Sequence, residues 1–281
     1  MIVLKNQEFI QRDNAKTDIE DRGYTFGDGV YEVIRVYNGA FFMLKEHLER
    51  LQFSLTETAI PYDTDSEDLG TLLNQLVSKN QIKNGAIYLQ ITRGIAPRSH
   101  PYPKQTPPQL YAYPIPVSSP VDAQQNGVSV TLLEDRRWLR CDIKSLNLLY
   151  NVMAKQQAKE NGHFEALLYR DEAHITEGSS SNFFAVKNGT VITHPANNYI
   201  LNGITRLAIL KVCDQLGIPF EERELRIRDL ESIDEAFLAS TTSEVVPITE
   251  VDQQKIGDGK AGEITSRILE GFKELIRQAD V

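Results

Sequence analysis

One lysine, one glutamate, two arginines and two turns rich in small residues carry the chemistry that this 281-residue chain could perform. Lys144 lies in RWLRCDIKSLNLL (137–149), between a polar stretch and the apolar residues Ile143, Leu146 and Leu148. Apolar neighbours desolvate an amine, lower its pKa and free the lone pair that a Schiff base requires. Taken alone this is weak, because most lysines are solvated surface charges. Glu177 lies in ITEGSSSNFF (175–184), ahead of Gly178 and a serine run. Its ordinary reading is a turn with Ser and Asn caps. Its functional reading is a carboxylate held at a strand end to keep a ring nitrogen protonated. NGITR (202–206) puts a glycine turn at a helix N-terminus, and ASTTSE (239–244) puts four hydroxyls after a strand. Both offer backbone N–H groups to an anion, with plain capping by Thr205 and the Ser/Thr residues as the alternative. Arg50 can add a planar guanidinium fork. Arg98 and His100, on a proline-rich loop, read either as a stiff anion receptor or as solvated loop charge.

The elements that must position these residues follow from periodicity. YEVIRVY (31–37) alternates and is followed by Asn38-Gly39 and FFML, a hairpin signal. Leu48, Leu51 and Leu55 then mark one amphipathic helix, and Leu69, Leu72, Leu73 and Leu76 a second. His47, three residues before Arg50, is expected to face the same cleft. AIYLQIT (86–92) reads as a strand. Residues 97–120 hold eight of the 12 prolines, which predicts loop, edge strand and linker. The expected division is a small N-terminal α/β domain at 1–116, a linker at 117–121, and a larger C-terminal domain at 122–281 that carries Lys144. In that second domain VSVTLLE (128–134), EALLYR, NFFAVK, TVITH and DEAFLAS (234–240) read as strands. Helices are predicted from about Ser145 to Asn161, from Thr205 to Gly217, and through Ile264, Ile268, Phe272 and Leu275. Strands and helices mix without strict βαβ alternation, so the fold class is α+β with two layers per domain. Trp138 is expected to pack, and His163, His174 and His194 to lie at the surface or in turns.

Composition excludes several classes. The net charge of −9 does not suit a nucleic-acid binder. Eleven Phe, eleven Tyr and 41% hydrophobic residues do not suit disorder. No apolar run reaches the roughly 18 residues of a membrane span, and MIVLKNQEF lacks the pattern of a secretory leader. Cys141 and Cys213 form no CxxC and no disulfide framework, so a reducing cytoplasm and no metal are expected. There is no GxxxxGK[ST]. Gly27 and Gly29 give GxG, but Glu32 stands where the third glycine of the dinucleotide fingerprint belongs. HExxH is missing, and GSSSN has Asn182 in place of the last glycine of GxSxG.

A phosphate cup, a lysine and a carboxylate are the set that pyridoxal 5′-phosphate needs. The order Arg50, Lys144, Glu177 in EGSSSNFF, NGITR and STTSE resembles the fold-type IV aminotransferases that use this cofactor, and the resemblance spans essentially the whole chain. DRGYTFGDGVYEV (21–33), DRRWLRCDIKSLNLL (135–149), ITEGSSSN and GIAPRSHPYP (94–103) are most similar to the D-amino-acid branch of that family. The resemblance implies two α/β domains with the active site between them. It implies that Lys144 holds the cofactor as a Schiff base and moves the Cα proton, and that Glu177 pairs with the pyridine nitrogen. It implies that Arg50, Ile204, Thr205, Ser240 and Thr241 hold the phosphate, and that Tyr31, Arg98 and His100 receive the substrate α-carboxylate. In that family the loop bearing Arg98 and His100 reaches in from the other subunit, which implies a homodimer. D-Amino acids, with D-alanine and D-glutamate the expected pair, and 2-oxo acids are the implied substrates. Three enzymes share the fold. Branched-chain L-aminotransferases usually carry a tyrosine five residues after the lysine, where this chain has Leu149. Aminodeoxychorismate lyase shares a KxLN stretch but needs no Arg-x-His receptor. (R)-Amine transaminases accept substrates without a carboxylate. A non-catalytic scaffold would need neither Lys144 nor Glu177.

Overall fold

The computed structural model describes residues 1–171 and 173–279, and its contacts divide the chain into two units. The first holds Met1–Ser118 together with the separate segment Ile143–Asn147. In chain order its elements are β1 (Ile2–Lys5), β2 (Glu8–Gln11), α1 (Arg22–Phe26), β3 (Gly29–Tyr37), β4 (Ala40–Phe41), α2 (Leu44–Glu57), α3 (Leu69–Lys79), β5 (Gly85–Thr92) and β6 (Gln109–Ile115). The strands form one antiparallel sheet in the order β2-β1-β6-β5-β3-β4. Asn38 and Gly39 join β3 to β4 with φ of 50° and 89°. Two successive positive values make the tight turn that suits the twist of a hairpin. On β3, Val30, Ile34 and Val36 point into a core that also takes Leu51 and Leu55 of α2 and Leu69, Leu73 and Leu76 of α3. That face also carries Glu32, fully buried. Tyr31, Val33 and Arg35 alternate onto the opposite face.

Two expectations change here. The proline-rich stretch does end in a strand, but β6 lies inside the sheet between β1 and β5 rather than at its edge. Pairing with β1 is confined to Leu4–Ala112 and Lys5–Tyr111, so it ends before Pro114, which has no amide to offer. The helix expected from Ser145 starts only at Leu149. The residues before it bond to β3 instead: Tyr31 N donates to Lys144 O at 3.0 Å, and Leu146 N donates to Gly29 O at 2.9 Å. Ser145 forms a bridge with Val30, and Ile143 joins the core of the first unit. Lys144, expected in the C-terminal domain, is thus grouped with the first unit. Gly29 permits this approach, because a Cβ there would lie 2.7 Å from Leu146 Cδ1 and 2.8 Å from Ile91 O.

The second unit holds Ser119–Asp142 and residues 148–279. Its elements are α4 (Val121–Asn126), β7 (Val128–Glu134), α5 (Leu149–Glu160), β8 (Glu165–Arg170), β9 (His174–Gly178), β10 (Asn182–Lys187), β11 (Thr190–Thr193), α6 (Ile204–Leu216), β12 (Phe220–Glu222), β13 (Leu225–Arg226), β14 (Glu235–Ser240), β15 (Glu244–Val251), β16 (Gln254–Lys255) and α7 (Glu263–Ala279). The sheet order is β12-β11-β10-β14-β15-β7-β8-β9-β13, with β16 on β15. The pairs β7–β8, β15–β7 and β11–β12 are parallel and the remaining pairs antiparallel. One buried set joins Val130, Leu167, Ile175, Phe183 and Leu238. Phe184 and Phe237, neighbours on β10 and β14, stack at 4.7 Å between ring centres. No helix among the described residues is long and apolar enough to cross a membrane. Trp138 does not pack as expected, being 47% exposed, whereas His194 is buried rather than superficial.

Candidate active site

In the first unit, Glu32 governs Arg50, one of the residues assigned to the phosphate. Arg50 donates to it twice, from Nε at 2.7 Å and from Nη2 at 2.8 Å, and His47 Nδ1 lies 2.8 Å from Oε2. Burial pushes the Glu32 carboxyl up, but the Arg50 guanidinium and His47 outweigh it and hold the group well below the usual carboxylate range. Burial drives the His47 pKa down, and the neighbouring Glu32 opposes that. His47 and Arg50 do share a helix face, as their spacing requires, but that face meets Glu32. The Arg50 fork expected on a phosphate is therefore spent in part on a carboxylate.

Lys144 and Tyr31 meet through backbone and side chain. The Lys144 N–H donates to Ser54 Oγ at 3.2 Å, and its Nζ stands 4.3 Å from the centre of the Tyr31 ring. Among the described residues no carboxylate pairs with this amine. Tyr31 stacks on Tyr88 at 5.8 Å, and Tyr88 donates to Gln90 at 2.9 Å. Arg98 and His100 are exposed, and both rest on Phe26: the Arg98 guanidinium is 4.9 Å from the ring centre and the His100 ring 5.6 Å from it.

In the second unit, Glu177 ends β9 as a buried carboxylate with a full donor set. Arg137 Nη1 donates at 2.6 Å, Asn182 Nδ2 at 3.0 Å and the Leu201 N–H at 3.2 Å to each oxygen. Burial pushes the Glu177 carboxyl up from its ordinary value, and Arg137 and the Leu201 amide oppose that. Arg137 is itself fixed by Asp135, at 2.9 Å from Nε and 2.7 Å from Nη2. Arg170 adds a bond to the same Asp135 at 2.9 Å, and Asp135 stays ionised with a pKa of about 2. The serine run is not idle turn chemistry. Buried Glu165 accepts from Ser179, from Ser180 at 2.8 Å and from Ser181 at 3.4 Å, and Gly178 N closes onto Ser181 O at 2.7 Å. This fixes the turn between Glu177 and Asn182.

Ile204 and Thr205 are buried in the first turn of α6, which no side-chain hydrogen bond caps among the described residues. A Cβ on Gly203 would stand 2.1 Å from Asn182 Oδ1, so only glycine lets the helix start this close to the Glu177 cluster. Asn182 also donates to Leu201 O at 2.8 Å and pairs with Ala239 across β14. Ser240 and Thr241 begin the turn after β14, where the Ser243 N–H donates to Ser240 Oγ at 3.1 Å. Four positioning residues escaped the sequence reading: Glu32, Asp135, Arg137 and Glu165. Only Glu32 carried a usable signal, being a carboxylate on the otherwise apolar face of an alternating strand.

The Glu32 cluster makes a testable statement about stability. Replacing Glu32 by Gln leaves the Arg50 guanidinium without its anion, at a cost on the order of 3 kcal/mol at neutral pH. The folded-state pKa is lowered, so the stabilisation is complete above the unfolded value near ~4.3 and is lost as pH falls through the folded value. Urea unfolding of both proteins at pH 7.5 and pH 3.5 should show the gap narrowing at the lower pH. A gap that does not change with pH would mean that Glu32 is not held as an anion.

The family model for amino-transferase class IV matches residues 29–251. A D-alanine aminotransferase from Bacillus licheniformis is 49% identical over 276 residues, covering 98% of this chain and 97% of that protein. The crystal structure of the Escherichia coli branched-chain amino acid aminotransferase superposes with a TM-score of 0.92 at 26% identity, covering 98% of this chain and 94% of the other. A branched-chain amino acid aminotransferase from T.th., solved with pyridoxamine 5′-phosphate, superposes with a TM-score of 0.88 at 26% identity, covering 97% and 93%. A match over most of the chain, with a close relative along nearly its full length, makes this protein a member of the class IV aminotransferases.

Proposed function

We propose that this chain is a pyridoxal-phosphate-dependent D-amino-acid aminotransferase that moves an amino group between a D-amino acid and a 2-oxo acid, and that it works as a homodimer in the cytoplasm. The near-full-length likeness to a D-alanine aminotransferase supports D-alanine as a substrate, with D-glutamate as the expected partner. The observation that carries the substrate class is the pairing of Arg98 with His100 on one ring, which sets a guanidinium fork and a second donor side by side for a carboxylate. As a homodimer, each chain would lend this loop to the other's active site.

The residues present fit the cofactor. Glu177 is a buried carboxylate fixed by Arg137, Asn182 and Leu201, which suits a protonated ring nitrogen. The N-terminus of α6, kept open by Gly203, presents the Ile204 and Thr205 N–H groups to a phosphate, with Ser240, Thr241 and Arg50 as the further donors assigned to it. Lys144 supplies an amine unclaimed by a carboxylate among the described residues. When bound, the cofactor supplies an aldehyde for amine exchange and a ring that accepts electrons. Lys144 Nζ would hold the cofactor and would take the proton from the substrate Cα. Glu177 keeps the proton on the ring nitrogen. Tyr31, against which the lysine rests, borders the path of that proton. Arg98 and His100 orient the α-carboxylate and so decide which hydrogen faces Lys144.

Three substitutions test these roles. Lys144→Ala removes the amine used for both attachment and proton transfer. General acid–base catalysis alone contributes about 10²–10⁴-fold, so turnover of D-alanine with 2-oxoglutarate should fall at least that far. Near-normal turnover would pass the role to Lys155 or Lys159. Glu177→Gln keeps the phosphate donors but replaces an anion by a neutral amide. Cofactor should stay bound while loss of the Cα deuterium from 2-deuterio-D-alanine slows; an unchanged rate would return Glu177 to a turn residue. Arg98→Ala removes charge-assisted bonds of roughly 1.5–3 kcal/mol each, so kcat/KM for D-alanine should drop about 10²-fold. (R)-1-Phenylethylamine, which has no carboxylate, should lose far less in the same half-reaction assay. Equal losses for the two amines would mean that Arg98 shapes the cleft generally, and L-leucine serves as the control for the branched-chain reading.

A further inference from the structure

Arg22 takes no part in the function as proposed, yet its guanidinium is buried and wholly committed. Asp21 caps the short helix that carries it, accepting from the Gly23 N–H at 2.8 Å. Arg22 Nε donates to Asp28 at 2.7 Å. Its other two nitrogens reach the backbone of the distant receptor loop: Nη1 donates to Ser99 O at 2.6 Å and Nη2 to His100 O at 3.3 Å. The same guanidinium lies 4.8 Å from the centre of the Phe26 ring, the ring on which Arg98 and His100 rest. Arg22 thus grips the loop by its carbonyls while Phe26 supports the two side chains that the loop presents.

We propose that Arg22, clamped by Asp28 and stacked on Phe26, is the positioning residue that fixes the Arg98–His100 loop in the geometry that receives the substrate α-carboxylate. This rests on the carboxylate-receptor reading of Arg98 and His100. The loop residues Arg98, Ser99 and His100 are exposed. An Asp21–Ile95 bridge and an Ala96–Glu20 backbone bond fasten the chain before them and the Arg93–Tyr102 stack fastens it after them, so Arg22 supplies the hold on the segment between. An unanchored loop must be ordered when substrate binds, and that ordering subtracts from affinity; an anchored one is ordered in advance. Only a planar fork can satisfy two successive carbonyls and a carboxylate together, which a lysine cannot reproduce. Asp28 is not orphaned without Arg22. Arg93 Nε also donates to it at 2.8 Å, and Arg93 is tied down by Ala59 O and Thr58 O, both at 2.7 Å. A variant at Arg22 can therefore lose the loop contacts while keeping the rest of the cluster.

The test is a double-mutant cycle on the cofactor-loaded enzyme with D-alanine: wild type, Arg22→Gln, Arg98→Ala and the double variant. Cofactor absorbance and thermal unfolding are recorded for each. Arg22→Gln should lower kcat/KM by on the order of tenfold to a hundredfold, mainly through KM, with the cofactor band unchanged. In the Arg98→Ala background the same change should cost no more than about threefold, because residues that act as one unit are not additive. Arg22→Lys should restore only part of the loss. The proposal is overturned if Arg22→Gln stays within about twofold of wild type, or if it costs its full factor again when Arg98 is already gone. Arg98→Ala without any loss would sink the receptor reading itself, and this proposal with it. A loss for Arg98→Ala but none for Arg22→Gln would sink the positioning role alone. Should Arg22→Gln not fold, Phe26→Leu enters the same cycle. Additive losses there overturn the proposal, and non-additive ones sustain it.

Discussion

A carboxylate removed from water must be met by donors, and the candidate site is built around that demand. Glu32, Asp135 and Glu177 are all buried, and each accepts from at least one guanidinium. Asp28, nearly buried, accepts from two. An isolated buried carboxylate would take up a proton rather than keep its charge. For Glu32 and Asp135 the arginines outweigh that pull and hold the carboxyls below their ordinary values, and the arginines stay fixed because their forks are occupied. Arg137 shows both sides of the arrangement. Two of its nitrogens bond Asp135, which leaves a third aimed at Glu177 with little freedom to move.

This mutual fixing sets what each group can do. Burial pushes the Glu177 carboxyl up, and the Arg137 guanidinium opposes it. A cationic ring nitrogen would tip it toward the charged form, the direction that keeps the ring protonated. Lys144 lives in the opposite environment. Its Nζ faces the Tyr31 ring, and among the described residues no carboxylate pairs with it.

Much of this was readable in one dimension. Alternation gave β3 and β5, the leucine spacing gave α2 and α3, and Asn38-Gly39 gave the turn between β3 and β4. Gly217 marked the end of α6. These are local signals, decided by periodicity and by φ. The start of α5 was not readable, because Ser145 and Leu146 could continue a helix by propensity. They are taken instead by the open edge of β3 beside Gly29, a contact over a hundred residues away in sequence. The interior place of β6 was hidden for the same reason: proline forbids a ladder bond at one position, not a place in the sheet. Among chemical residues, Lys144 and Glu177 stand out by their neighbours, whereas nothing in the sequence pattern picks out Arg137 and Glu165, whose partners come together only in the fold.

The serine run illustrates how a local motif and a distant charge become one device. Three hydroxyls in a row make a turn anywhere. Here they converge on Glu165, a residue of the adjacent strand β8. That convergence sets the chain reversal between β9 and β10, and the reversal brings Asn182 back onto Glu177 and against Gly203. One side chain, Asn182, thus touches both the Glu177 carboxylate and the backbone at the start of α6. A turn held by a buried carboxylate therefore keeps Glu177, Asn182 and Gly203 in one arrangement.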